Sequence, residues 1–355
     1  MGQNARCRLR QGEESGCLGM VLPFSSGRAE GSIGSPDGAD SMPTLTPEGR
    51  RAGSPDTEDF LTSRFFLACA LVALSPVTAR SQVPVATDIF LVRFADLDSA
   101  GAVSVKQLTK RAGYDNQPCF TADSHYLLYS AIMPDLQAEI FRIDLKTGKE
   151  ERLTKTPESE FSPTPLPDGS GFSAVRVQAD STQRLWKFPS KGKPAPVLEN
   201  VRGVGYHAWA DADRLILFLL HDPYLLVLAN AKTGDTTTVA QNIGRSMAPI
   251  PGRPQMSFVQ VEGTKKWIAS LDPATRKIER IALAPEGSED FAWTPGGRLL
   301  MAQGLILSEW NTEQKQWETL AVLAGQVPGK ISRLAVSPDG KWLALVADEK
   351  AAPSN

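Results

Sequence analysis

Cysteine is scarce in this chain and badly placed for crosslinking. Of four in 355 residues, Cys7, Cys17 and Cys69 precede residue 82 and only Cys119 follows it. Residues 82–355 therefore form no internal disulfide, and an oxidising compartment is neither required nor excluded. Histidine is rarer still, at three, too few for the clustered ligands of a zinc centre; no metal and no other cofactor is expected. Neither sign of charge dominates, with 38 basic residues against 40 acidic ones and no basic stripe, so no nucleic-acid partner is expected. Long apolar runs are also missing. Phe65–Leu74 is ten uncharged apolar residues, short of the ~20 that a spanning helix needs. The Gly-x-Ser-x-Gly elbow of a serine hydrolase is absent; Gly244-Arg-Ser246-Met-Ala248 imitates it only in part, and on a segment that reads as a strand.

Lysine is absent from Met1 to Ser81 and frequent afterwards. Residues 1–60 are rich in Gly, Ser and Pro and lack any apolar period, so they bury too little surface to offset the entropy of ordering. They are expected to be a disordered or mis-assigned extension. Residues 61–81 run from Arg64 through the short apolar stretch to Ala79-Arg80-Ser81, the layout of a secretory leader cleaved near Ser81. Translation is then expected to start near Leu61 or at Met42, and the mature protein to be periplasmic or secreted, without a membrane span.

From residue 82 onward a repeat organises the chain. Pro118–Asp123, Pro163–Gly169, His207–Asp213, Met247–Gly252, Phe291–Gly297 and Leu334–Gly340 each precede a short apolar strand. Taking Asp123, Asp168, Ala212, Gly252, Gly296 and Asp339 as equivalent, the steps are 45, 44, 40, 44 and 43 residues. Each copy reads as strand, tight turn, strand, because Pro presets φ, Asp bonds nearby backbone and Gly tolerates positive φ. A second hairpin follows, as in Glu139–Asp144 leading through Gly148 to Glu151–Thr154. Four short strands per 40-odd residues make the blade of a β-propeller. The sixth copy stops after two strands, near Ala347, and Asp88–Arg93 with Val103–Thr109 supplies the missing hairpin, since Asp88-Ile-Phe-Leu-Val-Arg93 parallels Glu139-Ile-Phe-Arg-Ile143. Residues 82–355 are therefore expected to form an all-β, six-bladed propeller whose last blade is closed by strands from both chain ends.

The turn Ser337-Pro338-Asp339-Gly340 and the downstream Asp144-x-x-Thr-Gly148 resemble the TolB-like, WD40-like (PD40) propeller repeat. The resemblance covers residues 88–348. It implies a propeller that binds protein, as in TolB, but without the separate N-terminal α/β domain of TolB.

Propellers bind where connections into the innermost strands converge on the central channel. Those positions hold Asn116 and Gln117, Glu160, Tyr206 and His207, Arg245, Glu289 and Asp290, and Arg333. Arg245 and Arg333 are suited to a carboxylate or phosphate, and the carboxylates to a cation or amine; alternatively the groups neutralise one another as a polar ring. The expected function is a monomeric module that binds a protein or peptide of the cell envelope at the channel mouth, with no catalytic residue assigned. The alternative is a hydrolase or lyase acting on an acidic sugar or peptide at the same residues, with His207 as base beside an arginine. Trp186, Trp267, Trp310 and Trp317 read as packing between blades. The leader assignment predicts that secreted material begins near Gln82; a first residue upstream of Phe65 on N-terminal sequencing would overturn it.

Overall fold

The computed structural model describes residues 84–99 and 103–349. The extension expected at 1–60 and the leader expected at 61–81 lie outside the described residues. The described residues belong to one compact unit. Its described residues form 24 strands and one four-residue helix, Phe94–Leu97, and the strands assemble into six four-stranded antiparallel sheets arranged as the blades of a propeller. Blades 1 to 6 open with the inner strands Asp115–Phe120, Ser159–Pro165, Val204–Trp209, Ile243–Pro249, Phe291–Trp293 and Ile331–Val336.

Blade 6 joins the ends of the chain. Its order from the axis outward is Ile331–Val336, Trp342–Asp348, Thr87–Arg93 and Val105–Gln107. Seven consecutive pairs, from Thr87 with Asp348 to Arg93 with Trp342, knit the two ends together. The outermost strand is shorter than the Val103–Thr109 expected, because Leu108 and Thr109 instead bond back to the Ile89 carbonyl.

The described residues share no single core. Six apolar clusters lie between neighbouring blades, and the period-2 alternation of the strands feeds two of them at once. Along Thr87–Arg93, Ile89 and Leu91 pack toward blade 1 with Tyr129 and Phe141, whereas Phe90 and Val92 pack toward blade 5 with Leu300 and Leu307. Trp342–Asp348 divides in the same way, Ala344 and Val346 against Leu343 and Leu345.

The repeat is also visible in its hydrogen bonds. In the first turn of blade 2, Ser170 N–H donates to Asp168 Oδ1 at 2.9 Å, and Gly169 takes φ +69°, a left-handed conformation that favours glycine. In the second hairpin, Asp144 Oδ1 accepts from both Lys146 N and Thr147 N; Asn230, Asp272 and Asn311 do the same in blades 3, 4 and 5. The expected equivalence of Asp88 and Glu139 is physical. Thr109 Oγ1 donates to Asp88 Oδ1 and accepts from Ile89 N, as Thr154 Oγ1 donates to Glu139 Oε2 and accepts from Ile140 N.

Because Phe90 is buried in the closing blade, Phe90→Ala should lower stability by about 3–5 kcal/mol in chemical denaturation. Val85→Ala, at a residue 66% exposed, should change it by less than ~0.5 kcal/mol. Equal effects would show that closure by both ends contributes nothing special.

Candidate functional site

Five of the six inner strands carry a register shift, between Asn116 and Cys119, Phe161 and Thr164, Val204 and Tyr206, Ile243 and Met247, and Ile331 and Arg333. Such bulges bend the strand and re-aim its side chains. Gln117 and Ser162 sit there with φ +58° and +54°, an uncommon conformation for non-glycine residues. At three of these bulges a backbone N–H is freed and a neighbouring blade supplies the acceptor. Ser162 N–H donates to Gln117 Oε1 at 2.6 Å, Arg245 N–H to Glu289 Oε1 at 2.6 Å, and Leu334 N–H to Asp290 Oδ1 at 2.9 Å. Gly244 is required for one of these approaches, since a Cβ there would lie 2.7 Å from Glu289 Oε1.

The bulged residues meet on the axis. Arg333 Nη2 of blade 6 donates to the Tyr206 hydroxyl of blade 3 at 3.1 Å. These blades stand opposite each other in the ring, so the pair forms a bar across the channel. Asp290 lies 3.5 Å from Arg333 Nη1, and the two side chains are only 11% and 12% exposed. Burial pushes the Asp290 carboxyl up, with Arg333 and Arg245 opposing; burial pushes the Tyr114 hydroxyl up as well. Arg245 reaches from blade 4 toward the Ser332 carbonyl of blade 6 at 3.5 Å.

Above this bar runs a cavity of about 730 Å³, lined by inner-strand residues of all six blades. Gln117, Tyr206, His207, Arg245, Asp290 and Arg333 form its closed end and lower wall; Phe120, Ala208, Trp209, Met247, Trp293 and Val336 continue it upward. Exposed prolines, among them Pro167, Pro249, Pro295 and Pro338, edge it where the inner strands finish. The open mouth therefore lies at the turns that follow the inner strands, and six of the nine residues expected to ring a mouth stand at its floor.

Three expected site residues do not line the cavity. Asn116 donates to Thr87 Oγ1 at 3.2 Å and accepts from Gln117 N at 2.7 Å. Glu160, fully buried, accepts from Thr156 Oγ1 at 2.6 Å and Arg176 Nε at 2.9 Å. Glu289 accepts from Lys266 Nζ at 2.8 Å; burial pushes its carboxyl up, but Lys266 and Arg245 together hold it below its ordinary value. Around the floor, three cations (Arg245, Lys266, Arg333) face two carboxylates (Glu289, Asp290). Lys266 and Arg333 each hold one of them. Among the described residues the Arg245 guanidinium has no carboxylate within 4.0 Å, and its Nε is buried without a partner. Arg245 is the surplus charge.

His207 Nε2 lies 2.7 Å from Ser173 Oγ, the spacing of a nucleophile and its base. The repeat gives the pair another meaning. Ser173 Oγ donates to the Thr164 carbonyl at 3.2 Å and accepts from Trp209 Nε1 at 2.9 Å. Two blades on, Ser257 Oγ donates to the Ala248 carbonyl and accepts from Trp293 Nε1 without any histidine. Ser173 is thus a fully buried blade-to-blade lock. By analogy with Ser257, which donates to its carbonyl at 2.8 Å, we assign the Ser173 proton to the Thr164 carbonyl and the hydrogen of the contact to His207 Nε2, which makes Nδ1 the acceptor nitrogen; Nδ1 is buried without a partner. Ser246, of the partial elbow, is buried on a strand and accepts from Phe291 N at 3.3 Å.

Trp209 and Trp293 were not among the expected site residues, although the Ala-Trp dipeptide that ends their inner strands recurs at equivalent positions of the repeat. Trp186 and Trp267 instead carry stacked Arg176 and Arg280, and Trp310 packs 5.3 Å from Trp317.

No protein-family profile matches the chain, and no curated protein does. Solved structures are similar to it. One assigned as TolB from Agrobacterium tumefaciens matches over 74% of this chain and 98% of that one, at 15% identity and a TM-score of 0.61. One assigned as a gluconolactonase matches over 72% and 97%, at 12% identity and a TM-score of 0.54. A chain of a nidogen/laminin complex matches over 75% and 100%, at 12% identity and a TM-score of 0.50. At these identities the likeness shows the propeller fold and carries no function across.

Burial holds the His207 imidazole down at about 3, from 6.5. The unfolded chain therefore binds the extra proton between those values, and His207 costs stability progressively as pH falls below 6.5. Relative to His207→Gln, the parent should lose about 1.4 kcal/mol per pH unit from pH 6 to pH 4 in denaturation experiments. A constant difference across that range would refute the neutral, buried imidazole. Comparison with the variant also cancels Asp115, whose carboxyl burial pushes up to about 6.

Proposed function

We propose that the protein is an exported, non-catalytic binding module that takes a segment of a protein or peptide of the cell envelope into its channel. The observation that carries this reading is the shape and chemistry of the cavity. It is open at one end, closed by the Arg333–Tyr206 bar at the other, walled by apolar and aromatic groups, and of a size that accepts a few residues of chain. The apolar wall supplies burial, and the few polar groups at the floor supply orientation. Export rests on the leader read from residues 61–81. Among the described residues no helix is long and apolar enough to cross a membrane.

The lyase or hydrolase alternative needs a base in the channel. His207 is the imidazole present there, and held at about 3 it is too weak to abstract a carbon-bound proton efficiently near neutral pH. Ser173 is buried beneath it and held in the blade-to-blade lock. Both groups favour binding over turnover.

Filling the channel tests the reading. Ala335 lies on the wall and is half-buried; Ala335→Trp should block the cavity without touching the bar. An envelope protein retained by the immobilised parent should be lost by the variant while its melting curve stays cooperative. Equal retention by both would move the binding surface away from the channel. Retention by neither would return weight to catalysis, with acidic oligosaccharides as the first substrates to screen.

A further inference from the structure

The cavity is polarised along its length. At the closed end Arg245 is the cation left over after Lys266 and Arg333 have taken Glu289 and Asp290. His207, whose side chain is only 7% exposed, also lines this cavity, and its Nδ1 is buried without a partner. Toward the open end the wall turns apolar, through Trp209, Trp293 and Met247, to the proline rim.

A group that satisfies this floor carries one negative charge and, beside it, a hydrogen-bond donor. A dianionic phosphate offers acceptors only and would crowd its second charge against Asp290. An ammonium group would meet the surplus cation. A carboxylate next to an amide N–H matches both requirements, since a guanidinium binds carboxylate through parallel N–H bonds and the amide hydrogen suits the histidine lone pair. We propose that the channel binds the free C-terminus of a peptide, carboxylate first, with Arg245 holding the carboxylate, His207 accepting from the adjacent amide, and the aromatic wall taking the side chains that follow. This rests on the channel reading given above.

The probes are acetyl-Ala-Leu-Phe with a free carboxylate, its C-terminal amide, and acetyl-Ala-Leu-Glu amide, which carries its carboxylate on a side chain. Each is titrated into the full-length protein, followed by tryptophan fluorescence and by saturation-transfer NMR. The free acid is expected to bind about tenfold tighter than its amide, the worth of one charge-assisted contact. Arg245→Gln should erase that advantage, and Arg245→Lys, which keeps the charge but not the fork, should retain part of it. Melting curves of both variants establish that they are folded, and agreement between them separates charge from packing. The inference is overturned if acid and amide bind the parent equally, if the advantage survives Arg245→Gln, or if the glutamate peptide binds as well as the free acid. Failure of all three probes overturns it too; channel-dependent capture of a partner, lost in Ala335→Trp, would then still leave the channel reading standing.

Discussion

The antiparallel ladder between Thr87–Arg93 and Trp342–Asp348 is the contact on which the other five blades depend. A propeller blade has an apolar surface on both faces, and each of the six clusters is completed only by the next blade round. Without the ladder, blade 6 would be two strands, and the clusters it shares with blades 5 and 1 would lose Phe90, Val92, Ile89 and Leu91 to water. A sheet left half-built also presents unpaired backbone groups. Closure therefore supplies a partner strand and two interfaces together.

Closing the ring brings six inner strands together at the axis, where backbone groups are difficult to satisfy. Bulges free N–H groups there, and Gln117, Glu289 and Asp290 accept them from the adjoining blade. The polar residues of the floor thus hold the blades in register as well as lining a cavity. Arg245 is the exception. Its backbone takes part in this stitching, but its guanidinium is not used up by it. That difference separates a group available to a ligand from groups already committed to the fold.

The blades were legible in the sequence because their signals are local. Pro-Asp-Gly fixes one turn, Asp-x-x-Thr-Gly the next, and the strands between them alternate in apolarity. Even the closure could be read, since Asp88-Ile-Phe-Leu-Val parallels Glu139-Ile-Phe-Arg-Ile, a likeness that extends to the buried threonine behind each carboxylate. The floor residues were found by the same alignment, but their roles were not. Glu160 and Asn116 look like exposed ring residues in sequence, and whether each is spent on Arg176 or Thr87 depends on bulges that leave no compositional mark. The direction of the open mouth was equally hidden, because the Arg333–Tyr206 bar joins residues 127 positions apart. Trp209 and Trp293 were visible as residues yet read as part of a turn motif rather than as a wall.

The pairing of Thr87 with Asp348 has a mechanical consequence. Both chain ends leave the propeller from the same end of one ladder. A force that draws the two termini apart therefore peels that ladder one bond pair at a time, instead of loading its seven residue pairs in parallel as shear would. The ring withstands thermal opening through every blade interface, but a pull between its own ends acts like a zipper tab on a single seam.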